Sequence, residues 1–137
     1  MSTQIDALTV SDAMLPLDKV PAVPTDMLLK EGLEEMGRRR LGIICITDTD
    51  GVLQGILTDG DVRRKLLEVQ KPFSALFSDD VIVHAVRTPL TVTPDMALRD
   101  AITLMEEKEV WDLPVVTANG NLAGLLHLHP VVKLVMG

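Results

Sequence analysis

Shifted by 69 residues, the chain lies over itself. Residues 21–66 match 90–135 without a gap. Ten of the 46 pairs are identical: Val23/Val92, Asp26/Asp95, Met27/Met96, Leu29/Leu98, Met36/Met105, Gly51/Gly120, Leu53/Leu122, Gly55/Gly124, Leu57/Leu126 and Val62/Val131. Others keep their chemistry, as in Lys30/Arg99 and Glu31/Asp100. A unit of about 50 residues is too small to bury a sheet well alone, so the two copies are expected to share their burial.

Within each copy the periodicity changes in the same order. A short extended segment (Ala22-Val23; Thr91-Val92) leads to apolar residues at i, i+3, i+4 and i+7, Leu29-Gly32-Leu33-Met36 and Leu98-Ala101-Ile102-Met105, which predict an amphipathic helix. Thr93 is placed to cap that helix with Pro94 at its first position, and Thr25 offers the equivalent cap in the first copy. A strand follows (Ile43 to Thr47; Leu113 to Val116), then a turn and a second strand (Val52 to Leu57; Leu122 to Leu128) running into another helix. Asp50-Gly51 and Asn119-Gly120 tolerate the positive φ of two-residue hairpins. The expectation is an α+β fold of two β-α-β-β-α repeats, 10–70 and 78–137, packed sheet to sheet with pseudo-twofold symmetry.

Composition narrows the function. A net charge of −7 argues against a broad nucleic-acid surface and gives no support to binding anionic membranes. No apolar stretch reaches the ~18 residues of a membrane span. The opening Ser2-Thr3-Gln4-Ile5-Asp6 lacks the basic and apolar regions of a signal peptide, so a cytoplasmic protein is expected. Cys45, the single cysteine, sits in the run Ile43-Ile44-Cys45-Ile46 and reads as a small core residue.

The densest chemistry is "GILTDGDVRR", residues 55–64. Three apolar residues stop, and Thr58, Asp59, Asp61, Arg63 and Arg64 follow within seven positions. Thr58 with Asp61 three residues on approximates a capping box, and both carboxylates suit the positive end of a helix. That reading needs no ligand, and on chemistry alone it comes first, because caps are commoner than ligand sites. In the second copy His127 replaces Thr58 and Pro130 replaces Asp61.

The other candidates are weaker. His127 and His129 are expected to alternate on a strand and share a face, with His84 as a distant third, a poor metal set without Cys or carboxylates. Asp59 with Asp61 is equally poor as a Mg²⁺ pair. Arg38-Arg39-Arg40 suits the end of a helix, and Glu106-Glu107-Lys108-Glu109 a solvated helix end. Trp111, opposite Gly42 in the repeat, is expected to pack, and Phe73 and Phe77 to lie on the connector and dock on a partner. No nucleophile–base pair, phosphate loop or zinc pattern is evident, so no catalysis is expected of this chain.

The layout resembles the CBS-domain pair, or Bateman module, from about Val10 to Val135. The stretches "VSDAM", "KVPAVPTDMLLKEGLEEMGRRRLGIICITDTDGVLQGILTDGDVRRKL" and, more loosely, "LPVVTANGNLAGLLHLHPVVK" resemble the C-terminal CBS pair of D-arabinose-5-phosphate isomerases. CBS pairs attached to sugar nucleotidyltransferases carry a similar Thr-Asp-Gly-Asp exit and remain an alternative. The resemblance implies a ligand at the exit: Thr58 on a phosphate, Asp61 on ribose hydroxyls, and Asp59, Arg63 and Arg64 nearby. The base would rest against Gly42-Ile43-Ile44 and Val20-Pro21-Ala22. His127, near the other exit, could meet a phosphate or carboxylate of the ligand, while Pro130 cannot accept from a diol, so one competent site per chain is expected.

The expected function is therefore regulatory ligand sensing with no required cofactor. The effector would be an adenine nucleotide or a CMP-sugar, and the setting Kdo and lipopolysaccharide biosynthesis. A sugar-isomerase domain would precede the pair in such a parent, making this chain a fragment or a free-standing relative. A homodimer is expected from Leu66, Leu67 and Val69 with Leu134, Val135 and Met136. The rival is a dimerisation module without a small-molecule ligand.

Overall fold

In the computed structural model, which describes residues 6–68 and 72–136, each apolar pattern finds a separate core. Residues Val20–Pro89 form one compact unit, and the segment ending at Lys19 joins the chain from Leu90 onward in the other. The first unit has the expected β-α-β-β-α order, and in the other the leading strand is reduced to a single parallel bridge between Val92 and Val115.

In the first unit β2 (Ala22–Pro24) runs parallel to β3 (Ile43–Thr47), which pairs antiparallel with β4 (Leu53–Thr58). The parallel pair requires a crossover, supplied by α2 (Leu29–Arg39). Its buried stripe of Leu29 and Met36 packs with Ile44, Ile46 and Leu57. The helix α3 (Asp59–Glu68) leaves β4 directly and buries Val62 in the same core. A short helix, α4 (Phe73–Phe77), follows, with Leu76 buried and the rings of Phe73 and Phe77 stacked at 6.1 Å.

The other unit repeats this with α5 (Leu98–Lys108), β5 (Asp112–Val116), β6 (Leu122–His127) and α6 (Leu128–Met136). Leu98, Ala101, Met105, Leu113, Val115, Leu126 and Val131 form its core. Even the irregularities recur: the ladder slips between Ile46 and Thr47, and again between Val115 and Val116. Cys45 is fully buried, as its apolar neighbours predict.

One connection is invisible in the repeat itself. The helix α1 (Val10–Ala13) and strand β1 (Leu15–Pro16) precede the first repeat, yet β1 pairs with β6 of the second. Around them, Val10 N–H donates to Met96 C=O at 2.9 Å and Leu98 N–H to Leu8 C=O at 2.9 Å. The segment preceding the second repeat does the same in the first unit. There Val81 N–H donates to Met27 C=O at 2.7 Å, Leu29 N–H to Asp79 C=O at 2.8 Å, and Ile56 bridges Val86.

These bridges correct the predicted helix starts. Thr25, Thr93 and Pro94 lie in turns closed by Met27 N–H to Pro24 C=O (3.2 Å) and Met96 N–H to Thr93 C=O (3.3 Å). The helices begin later, behind Leu28 and Ala97, which have no side-chain cap. Backbone carbonyls of the crossing segments take the place of a capping hydroxyl on the first amides.

The crossing also explains the repeated glycine on the second strand. A Cβ on Gly55 would lie 2.8 Å from Val86 C=O, and one on Gly124 2.5 Å from Leu15 C=O. The hairpins differ from the predicted two-residue form. Of the hairpin residues, Gly51 (φ 83°) and Gly120 (φ 85°) alone have positive φ. With Gly51 N–H on Asp48 C=O and Asp48 N–H on Val52 C=O, both 3.0 Å, the loop is a three-residue turn ending in a left-handed glycine. Val69, expected on the apolar helix surface, lies outside the described residues.

Candidate functional site

The end of β4 brings together five of the residues singled out in the sequence. Thr58 is paired in register with Ile43, next to Gly42, where β3 begins. Asp59 N–H donates to Gly42 C=O at 3.0 Å, which turns the chain into α3. A Cβ on Gly42 would meet the Asp59 carboxylate at 3.0–3.2 Å, so the carboxylate lies over that glycine.

One turn on, the capping box is complete. Thr58 Oγ1 accepts from Asp61 N–H at 3.1 Å, and Asp61 Oδ2 accepts from Thr58 N–H at 3.1 Å. Arg64 donates from Nη2 to Asp61 Oδ1 at 2.5 Å. Partial burial acts first, raising the Asp61 pKa. The hydrogen bonds from the Thr58 hydroxyl and amide and the Arg64 guanidinium outweigh it, and the carboxyl ends below its ordinary value.

This arrangement leaves chemical capacity. A carboxylate offers about four lone-pair positions, and Thr58 and Arg64 engage one on each oxygen. The Thr58 hydroxyl hydrogen rotates and can be redirected outward to an anion. The helix start contributes its N–H dipoles, and glycine at position 60 keeps the approach clear, its nearest neighbour being Arg64 Nη1 at 3.5 Å from a hypothetical Cβ. Arg63 and Arg64 are both exposed.

The remaining predicted contacts are dispersed. Pro21 reaches the sheet, its C=O accepting from Cys45 N–H at 2.8 Å, and Val20 beside it is buried. Ile44 turns its side chain into the core against Gly32 and is fully buried. His127 belongs to the other unit, where Nδ1 lies 2.7 Å from Asp112 Oδ1. Asp112 was not singled out from sequence. It is legible in hindsight, since the register that sets Ile43 opposite Thr58 sets Asp112 opposite His127.

Two expectations at the second exit are corrected. His129 is not on the strand with His127: β6 ends at His127 and α6 begins at Leu128, whose N–H donates to Trp111 C=O at 2.9 Å. The strand alternation that would align the two rings therefore stops between them. Trp111 does not pack but is 69% exposed. His84, the distant third ligand, is buried in the first unit with Nε2 2.8 Å from Asp79 Oδ2. Among the described residues, no group of three or more His, Cys, Asp or Glu side chains is placed to hold a metal ion. No helix there is long and apolar enough to cross a membrane.

Comparison with known proteins agrees with this architecture. The chain is 31% identical over 126 residues to the arabinose 5-phosphate isomerase KdsD of Yersinia pestis, and 32% over 129 residues to that of Escherichia coli K12. Each match covers 92% of this chain but only 37% of the isomerase. Among solved structures, CBSX2, a CBS-pair protein of Arabidopsis thaliana, in complex with AMP superposes with a TM-score of 0.84 at 28% identity. That match covers 95% of this chain and 97% of CBSX2. The family model for the CBS domain matches twice, over residues 10–68 and 79–136. With two copies of the domain filling most of its length, the chain belongs to the CBS domain family as a tandem pair.

Proposed function

We propose that this chain is a regulatory module that senses an adenine nucleotide at the exit of β4. The observation that carries the reading is the Thr58–Asp61 constellation: a hydroxyl and a charged carboxylate at one helix start, beside an open glycine and two arginines. Thr58 and Arg63 or Arg64 would meet a phosphate, and Asp61 would accept from the ribose diol. Support comes from CBSX2, a relative at 28% identity whose structure contains AMP. The second exit lacks the carboxylate, because Pro130 stands at that position, and Leu128 and Trp111 replace Asp59 and Gly42. One nucleotide per chain is the resulting stoichiometry.

The wider setting is the regulatory part, or a relative, of an arabinose-5-phosphate isomerase, acting in the cytoplasm. Identity of 31–32% to two such isomerases supports it. A homodimer completes the reading, because Leu67 (77% exposed), Leu134 and Met136 (74%) leave apolar surface on α3 and α6.

Titration with AMP, with CMP as comparison, tests the proposal through the melting temperature and isothermal calorimetry. A ligand at one hundred times its dissociation constant adds about 2.7 kcal/mol of stability. A rise with AMP at one site per chain is expected. No response to either nucleotide would favour the rival dimerisation module.

A further inference from the structure

Arg64 already holds the carboxylate that a ribose would need. Its Nη2 donates to Asp61 Oδ1 at 2.5 Å, while the other oxygen, Oδ2, accepts from Thr58 N–H at 3.1 Å. The Asp61 side chain is 17% exposed and that of Arg64 59%. The carboxylate is thus the fixed partner, gripped by the capping box, and the guanidinium is the one free to leave. An ion pair this open to water contributes little to the fold, so giving it up costs little.

The same guanidinium borders open space beside the Thr58 hydroxyl. Measured from the position of a Cβ on Gly60, Arg64 Nη1 lies at 3.5 Å, Nη2 at 3.8 Å and Thr58 Oγ1 at 3.8 Å. Two kinds of donor therefore flank one point, above a residue with no side chain to fill it. A guanidinium meets a phosphate with a planar fork of N–H groups. A phosphate monoester carries about −1.5 to −2 charges at neutral pH, more than a carboxylate, so it competes well for Arg64. At the second exit Pro130 and Lys133 stand in place of Asp61 and Arg64, so the pair belongs to the first repeat alone.

We propose that Arg64 is a specificity-determining latch: it masks Asp61 against a ribose diol until a phosphate draws it away, so the exit selects nucleotides over nucleosides. The inference rests on the nucleotide reading above and adds which part of the ligand opens the site. With Arg64 in place, a diol meets a carboxylate whose charge is balanced and whose Oδ1 is engaged. Once the guanidinium turns to phosphate, both hydroxyls meet the full negative charge. Phosphate and ribose are thereby coupled through one side chain, each raising the affinity for the other.

Calorimetric titration of the full chain with AMP and with adenosine, in the parent and in Arg64→Ala, tests the latch. Arg64→Met, which keeps a long side chain without the charge, is a second variant should the first melt early. The parent is expected to bind AMP at least tenfold more tightly than adenosine. In Arg64→Ala, AMP should weaken about ten- to hundredfold, the loss of one charged hydrogen bond, while adenosine tightens about threefold or more. Opposite changes for two ligands that share ribose and base are not produced by general damage to the exit. Equal weakening of both would make Arg64 a support for Asp61, and unchanged adenosine affinity would make it a phosphate contact that masks nothing. Either result, or a parent that does not distinguish the two ligands, would overturn the latch and leave nucleotide binding standing. A parent that binds neither would remove the nucleotide reading and the latch together.

Discussion

Replacing Asp61 by Asn separates the two duties of this residue. Asparagine keeps an oxygen for the Thr58 amide but loses the charge that Arg64 and a ribose diol both use. Without nucleotide, the loss of an ion pair whose arginine is 59% exposed costs about 0.2–1 kcal/mol. Removing a negative charge from the helix start costs about 0.3–1 kcal/mol more. The expected total of about 1 kcal/mol lowers the melting temperature by roughly 3–5 °C for a chain of this size. The Asp61 pKa is lowered in the fold, so its contribution is complete above the ordinary carboxylate range and is lost as the pH falls through the lowered value. The gap between parent and variant should therefore be constant near neutrality and shrink below about pH 4.

With AMP the same variant should lose far more. A charged hydrogen bond is worth about 1.5–3 kcal/mol, and about 1.4 kcal/mol is tenfold in affinity, so calorimetry should report a ten- to hundredfold weaker dissociation constant. Equal AMP affinity in parent and Asp61→Asn, beside a normal melting loss, would refute the reasoning and return the constellation to a helix cap.

The other predictions follow from the same geometry. Gly124→Ala drives a methyl against Leu15 C=O, a backbone atom that cannot rotate away; urea unfolding should show a loss of about 1–3 kcal/mol, and an unchanged midpoint would mean β1 yields freely. His127→Ala breaks the contact to Asp112 at the exit that carries Pro130, and should leave the AMP dissociation constant within about twofold of the parent, which is less than 0.5 kcal/mol. Light scattering of the full chain at micromolar concentration should give the mass of a dimer, and a monomer would remove the reason for its exposed Leu67 and Met136.

Much of this protein is written in local pattern. The 69-residue repeat, the Leu29–Met36 and Leu98–Met105 stripes, and the Thr58–Asp61 spacing determined the α-β-β-α run of both units and a capped strand exit, because amphipathic periods and capping boxes act over a few residues. Connections between distant segments carry no such period. That β1, ahead of the first repeat, pairs with β6 of the second, that carbonyls of Asp79 and Leu8 satisfy the helix starts in place of Thr25 and Thr93, and that Arg64 folds onto Asp61 were decided in three dimensions. Gly55 and Gly124 show the division most plainly: the repeat marks the positions, and only the carbonyls of Val86 and Leu15 crossing above them supply the reason, since a backbone atom from remote sequence occupies the space where a side chain would stand.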